Sequence, residues 1–132
     1  MYELKTKENR VNETGKEENL TLGYIVDAVT FGEAENKISQ ELDGGNFQVT
    51  QIKLSPYQEY LVEEDKYRFF KVVVTMTDIN ENSGKEKKVK VNYLVAADDQ
   101  KEAVKEVEEF NRDTIVNWEV TALNETNIVG VL

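Results

Sequence analysis

The feature that most constrains this chain is an internal repeat at an offset of 69 residues, which runs without a gap from about residue 2 to residue 38. Thr14-Gly15-Lys16-Glu17 lines up with Ser83-Gly84-Lys85-Glu86, and Tyr24-Ile25-Val26 lines up with Tyr93-Leu94-Val95. The matches fall on turn glycines, inward strand positions and helix starts. A duplication of this kind constrains architecture much more than it constrains chemistry.

Each copy carries the pattern strand, strand, helix, strand. Between residues 20 and 28 apolar side chains recur at every second position, which is the period of a half-buried strand, and the second copy repeats this between residues 89 and 97. Thr30-x-x-Glu33 and Asp99-x-x-Glu102 are helix-start signals, because a short oxygen-bearing side chain can accept a free backbone N–H. We therefore predict an α+β fold of two ββαβ repeats, with antiparallel sheet, two helices packed on it and a pseudo-twofold.

The predicted boundaries follow from this pattern. We expect a single domain over residues 1–132, with repeats at 1–54 and 67–123, a connector at 55–66 and a C-terminal strand or tail at 124–132. The first strand is expected to end near Lys7 and the first helix at Asp43-Gly44-Gly45. The connector holds the only proline and has room for an edge strand at about 57–62.

Composition excludes several functional classes. The chain has no Cys and no His, so disulfides, thiol nucleophiles, the usual zinc sites and His-based acid/base chemistry are all absent. A net charge of −10 disfavours binding to polyphosphate backbones. No signal segment or membrane-length apolar run is visible, so we expect a cytoplasmic protein that does not contact membranes.

The one basic concentration is the run from Lys85 to Lys90. Its lysines are Lys85, Lys87, Lys88 and Lys90. Lys88 and Lys90 are expected on the strand face opposite Val89, where they can meet phosphates. The alternative is a solvated sheet face on which lysines discourage edge pairing.

Aromatic residues gather near the junction of the two copies. Tyr57, Tyr60 and Tyr67 can line a groove for a ligand or partner, because a tyrosine ring stacks while its hydroxyl stays in water. The alternative is that they cover the seam between two half-domains.

No motif carries catalytic chemistry. The two Gly-Lys pairs fail the phosphate-loop pattern, because Glu17 and Glu86 stand where that motif needs Ser or Thr. The carboxylate clusters at 63–65 and 98–99 can hold a cation in principle, but Asp99 already serves as a helix cap. We therefore predict no enzyme activity, no catalytic residues, no metal and no cofactor.

The second copy resembles a family of small proteins from Bacteroidetes and their phages that share a domain of unknown function. The resemblance is carried by the aromatic-Lys-Val strand at 69–72, the Ser-Gly-x-x-Lys-Lys hairpin at 83–88 and the strand ending Leu-Val-x-Ala at 94–97; residues 24–38 match as well. It implies a bacterial or phage cytoplasm and an accessory or counter-defence role, and it brings no catalytic residues.

Three functional hypotheses remain open. The first is a non-catalytic binding protein whose partner is another protein. It uses the seam between the copies or, as a homo-oligomer, an interface between protomers. The second is a small-molecule binder that sequesters a nucleotide signal, and the third is a single-stranded nucleic-acid binder, which the charge makes the least favoured.

Overall fold

The computed structural model describes residues 1–43 and 45–132, and it confirms the α+β fold class. The described chain forms eight strands and two helices, which divide into two compact units. Unit 1 comprises residues 1–56 and 127–132, and unit 2 comprises residues 57–126. Each unit contains one four-stranded mixed sheet and one helix.

Unit 1 has the sheet order β3-β1-β2-β8, in which β8 runs parallel to β2 and the other neighbours are antiparallel. Helix α1 packs Ala34 and Ile38 against the side of the sheet that carries Leu4, Tyr24 and Val26. Its elements are β1 (Tyr2–Val11), β2 (Glu17–Val26), α1 (Phe31–Glu41), β3 (Asn46–Leu54) and β8 (Ile128–Val131).

Unit 2 has the corresponding order β7-β5-β6-β4, with β4 parallel to β6. Ala103 and Val107 of α2 pack against the side of the sheet that carries Phe70, Val72 and Tyr93. Its elements are β4 (Glu59–Leu61), β5 (Arg68–Ile79), β6 (Glu86–Ala97), α2 (Gln100–Phe110) and β7 (Asn117–Glu125).

The first hairpin is tighter than the sequence suggests. β1 extends to Val11 rather than ending near Lys7, because Asn12 organises the turn: its side-chain Oδ1 accepts the backbone N–H of Thr14 at 3.0 Å and that of Lys16 at 3.0 Å. Gly15 has φ +82 and Gly84 has φ +66, the left-handed conformation expected of both turn glycines.

Both helix starts are confirmed. The side chain of Thr30 accepts the N–H of Glu33 at 3.1 Å, and that of Asp99 accepts the N–H of Glu102 at 2.8 Å. α1 ends at Glu41, and Gly44 of the predicted stop signal lies outside the described residues.

The two units share fine details of register. In β3 and β7 the strand bulges at Thr50 and Thr121, whose hydroxyls donate to the carbonyl oxygens of Lys5 and Val73. The hairpins differ by one residue, since Val11 pairs with Glu17 whereas Ile79 pairs with Glu86. Inward positions on β1 and β5 therefore correspond at an offset of 68 residues. The predicted offset of 69 holds for β2 and β6, after the hairpin turn, but not for β1 and β5 before it. The predicted duplication and pseudo-twofold stay predictions.

Candidate functional site

The structure divides the four predicted lysines between two sides of the unit 2 sheet. Lys88 pairs with Thr77 and Lys90 pairs with Thr75, so both lysines lie on the side away from α2. Lys87 pairs with Asp78 on the helix side, and Lys85 lies in the hairpin turn. Only Lys88 and Lys90 are thus brought together on one face.

Lys88 and Lys90 belong to an exposed polar surface, which we call the lysine face. Beside it lies a shallow depression of about 310 Å³. The lysine face consists of Lys88, Lys90, Thr75, Thr77, Asn117 and Glu119, placed by the register of β5 with β6 and β7. Thr75 is buried, and its hydroxyl lies 2.9 Å from that of Thr121, which fixes its orientation. The face offers two ammonium groups beside hydroxyl and amide groups, with one carboxylate at Glu119.

Two of the three predicted tyrosines contact each other. The rings of Tyr57 and Tyr60 meet edge to face with centroids 6.1 Å apart, and Tyr57 is buried. Tyr60 pairs with Leu94 in β6, four residues along that strand from Lys90, or about 13 Å. Tyr67 is 81% exposed just before β5. Tyr60 and the lysine face therefore border the same strand, β6, at separate places, whereas Tyr67 precedes β5.

A buried polar cluster in unit 1 was missed by the sequence analysis. Glu8 is 6% exposed, and its carboxylate accepts hydrogen bonds from Thr6 Oγ1 (2.9 Å), Tyr24 Oη (2.8 Å) and Arg10 (2.8 Å). The side chains lie on the helix side of the sheet, on strand positions that continue the inward series begun by Leu4. That series was the available signal, but it passes through residue types that are normally exposed.

Hydrogen bonding fixes the charge states in this cluster. Burial alone would raise the pKa of Glu8, but hydrogen bonds from Arg10, Tyr24 and Thr6, together with the charge of Arg10, hold it below its usual value. Burial, and then the hydrogen bond to Glu8, raise the pKa of Tyr24 to about 12. Neither group titrates near neutral pH, so the arrangement suits a fixed ion pair better than proton transfer.

Unit 2 satisfies the corresponding tyrosine differently. Tyr93 takes its hydrogen bond from Asn111, whose Nδ2 lies 3.1 Å from the phenol oxygen. Asn111 is the C-cap of α2, where α1 has Leu42, and Met76 occupies the strand position of Glu8. The Glu8 cluster is therefore one of two structural solutions to the same problem, a buried tyrosine hydroxyl that needs a partner.

The carboxylates at 98–99 take part in ion pairs and capping. Lys66 Nζ lies 2.7 Å from Asp98 and 3.0 Å from Glu102, and these hydrogen bonds raise the pKa of Lys66 and lower that of Asp98. Arg68 pairs with Glu125 and donates to the Asp98 carbonyl at 2.7 Å. Across residues 1–43 and 45–132 no group of three potential ligands could hold a metal ion.

A groove of unit 2 runs along α2. It has a volume of about 1040 Å³ and is lined by side chains of both charges, among them Lys101, Lys105, Glu106 and Glu108, and by the apolar Val104 and Leu123. Because the charges alternate, this groove offers no concentrated field for a charged ligand.

Neither described helix is long and apolar enough to cross a membrane.

Comparison with known proteins places the chain in a family and goes no further. No curated protein and no solved structure matches it. Over residues 1–132, its whole length, the chain matches the family described as "Domain of unknown function (DUF4494)". The protein belongs to the DUF4494 family.

Proposed function

We propose that this protein is a non-catalytic binding protein whose lysine face holds an anionic group of its ligand or partner. The observation that carries the proposal is the side-by-side placement of Lys88 and Lys90, each opposite a threonine. Residues two apart on one strand face stand about 6.6 Å apart. Two ammonium groups at that spacing suit a phosphate or carboxylate that spans both.

The lysine face differs from the rest of the chain in charge. The whole protein carries 26 acidic and 16 basic residues. On this side of the sheet Lys88 and Lys90 are matched by Glu119 and by Glu86, which lies two residues before Lys88 on β6, so the local charge is close to neutral rather than acidic. Anions are therefore repelled less at this face than at the acidic surface elsewhere, and this difference weakens with salt.

The state of the buried ionisable groups supports a non-catalytic role. A general acid or base works best when its pKa lies near the operating pH. In the Glu8 cluster the pKa of the carboxyl is lowered and that of the phenol is raised, so both move away from neutrality. Their neighbours hold them in one charge state.

We further propose a bacterial or phage cytoplasmic protein with an accessory role, such as counter-defence, that acts as a homo-oligomer. The resemblance of the 83–88 hairpin and its flanking strands to proteins of Bacteroidetes and their phages supports this origin. Sequestration of a nucleotide signal is the alternative that the lysine face favours, since such a ligand carries phosphates.

Calorimetry with linear and cyclic nucleotides tests the proposal. We expect binding that falls at least about tenfold in the double variant Lys88→Glu/Lys90→Glu. The matched control Lys101→Glu/Lys105→Glu makes the same charge change on α2 and should bind as the parent does.

Two further arms separate the remaining partners. A labelled single-stranded oligonucleotide should show affinity that drops steeply with salt if the third hypothesis holds. If neither small anions nor the oligonucleotide bind, the partner is a protein, and a pull-down should lose it in the Lys88/Lys90 variant alone. A pull-down that is identical for parent and variant would refute the proposed face.

A further inference from the structure

The second strand of each hairpin, β2 in unit 1 and β6 in unit 2, has an outer edge that is only partly paired. β2 spans ten residues, Glu17–Val26, but β8 pairs with it only at Gly23–Ile25. β6 spans twelve residues, Glu86–Ala97, but β4 pairs with it only at 93–95. In the part of the chain that the structure describes, no strand pairs with the outer side of β2 at 17–22 or of β6 at 86–91.

The existing edge bonds show which residues point their backbone groups outward. Gly23 donates its N–H to Asn127 on the open side of β2, so the odd-numbered residues Glu17, Asn19 and Thr21 also point there. Asn127 Nδ2 already reaches the Thr21 carbonyl, at 3.4 Å.

The open side of β6 is defined in the same way. Asn92 exchanges hydrogen bonds with Gln58, through the Gln58 backbone N–H and the Gln58 side chain. Even-numbered residues therefore face outward, and the uncovered ones are Glu86, Lys88 and Lys90. Each hairpin thus presents a row of backbone donors and acceptors ready for another strand.

The two edges carry opposite charge. The uncovered part of β2 has Glu17 and Glu18 and no basic residue, while that of β6 has Lys87, Lys88 and Lys90 with one carboxylate, Glu86. Two β2 segments carry like net charge, as do two β6 segments, so repulsion between whole segments opposes either self-pairing, even though β6 with β6 sets Glu86 opposite Lys90. Pairing β2 with β6 brings segments of unlike net charge together and can set Glu17 opposite Lys90, so the charge pattern favours that combination.

We propose that the open β2 edge of one copy of this chain pairs with the open β6 edge of a second copy. The inference rests on the proposed function and deepens it, because it names the acidic strand of another copy as an anionic partner of Lys88 and Lys90. The occupant is a second copy because this chain itself carries the complementary strand.

An antiparallel register fits both rows of outward groups. It sets Glu17 opposite Lys90, Asn19 opposite Lys88 and Thr21 opposite Glu86, so that outward backbone groups meet at these three pairs within a five-residue overlap. In this register Lys88 lies diagonal to Glu17, within reach of a long side chain. Each contact is heterologous, so two copies can close reciprocally or add further copies in a row.

Charge-swap variants test the pairing. The parent should sediment as an oligomer in low salt and dissociate as salt rises. The basic-edge variant Lys88→Glu/Lys90→Glu and the acidic-edge variant Glu17→Lys/Glu18→Lys should each associate at least about tenfold more weakly. An equimolar mixture of the two should assemble again, because each variant then supplies the charge that the other lacks. The Lys101→Glu/Lys105→Glu control should assemble like the parent.

The outcomes separate this inference from the proposed function. A parent that is monomeric at every concentration, or a mixture that stays monomeric while both variants keep the parent's circular dichroism, overturns the pairing. Nucleotide calorimetry on the acidic-edge variant, whose lysine face is intact, then shows whether anion binding survives on its own. If that variant binds nucleotide but no mixture assembles, the pairing is wrong and the proposed function stands.

Discussion

The two ways of satisfying a buried tyrosine hydroxyl make a sharp prediction about unit 1. Replacing Glu8 with methionine, the residue at the corresponding position of unit 2, removes the acceptor of both Thr6 and Tyr24. Each buried hydroxyl left without a partner costs about 1–3 kcal/mol. The methionine recovers roughly 1–2 kcal/mol by burying apolar surface. We therefore expect Glu8→Met to lower the free energy of unfolding by about 0–5 kcal/mol, with a central value of roughly 2.5 kcal/mol.

The second change imports the solution that unit 2 uses. Leu42→Asn places an amide at the C-cap of α1, where Asn111 of α2 reaches Tyr93. Alone it should cost about 1–3 kcal/mol, because Leu42 packs against the unit 1 core. Together with Glu8→Met it gives Tyr24 a new partner. The double variant should therefore lose about 1–2 kcal/mol less unfolding free energy than the sum of the two single losses.

The measurement is a double-mutant cycle by urea unfolding, followed by far-UV circular dichroism and by hydrogen exchange in peptides from β1 and β2. Exchange is needed because the single tryptophan, Trp118, lies in unit 2 and does not report on unit 1. The control is the same cycle in a Tyr24→Phe background, where the coupling should vanish. If the two losses add within about 0.5 kcal/mol when Tyr24 is present, the reasoning is refuted.

Two further predictions concern pH and helix capping. The raised pKa of Tyr24 contributes stability that is complete below pH 10.0 and is lost as pH rises toward about 12, whereas the lowered pKa of Glu8 contributes stability that is lost as pH falls below 4.5. Urea unfolding of the parent and Tyr24→Phe between pH 8 and 12 should show a steeper alkaline loss in the parent, and equal slopes would contradict the assignment. Asp99→Ala should destabilise α2 by about 1 kcal/mol, while Asp99→Ser should keep most of the cap; equal losses in thermal unfolding would show that the Asp99–Glu102 bond is not stabilising.

Local signals in the sequence predicted the fold class well. Thr30 and Asp99 cap the helices because their short side chains reach backbone N–H groups three residues on, a relation that depends only on neighbouring residues. Gly15 and Gly84 mark the turns because both need a positive φ. The same kind of signal places Lys88 and Lys90 on one strand face, since alternation is a local property.

The Glu8 cluster could not be predicted because its stability depends on a distant residue. Taken alone, Thr6, Glu8 and Arg10 look like the exposed end of a strand, so the local pattern predicts a first strand that ends near Lys7. Burial of Glu8 is tolerable only because Tyr24, sixteen residues away, donates to its carboxylate and Arg10 neutralises it. Which inward position receives the tyrosine hydroxyl depends on the register of β1 with β2, and that register differs by one residue between the hairpins.

The short parallel strands show a second limit of local reasoning, and they bear on how function should be tested. β4 follows β3 along the chain yet belongs to unit 2, and β8 follows β7 yet belongs to unit 1. β4 therefore completes the sheet of unit 2 although it follows a strand of unit 1, and β8 completes the sheet of unit 1 although it follows a strand of unit 2. A fragment ending after residue 56 would lose the cover that β8 gives to Gly23–Ile25, and would lengthen the open acidic edge of β2. Such a fragment would gain an edge that the intact protein does not present, so assembly or binding by an isolated unit would not report on the whole chain.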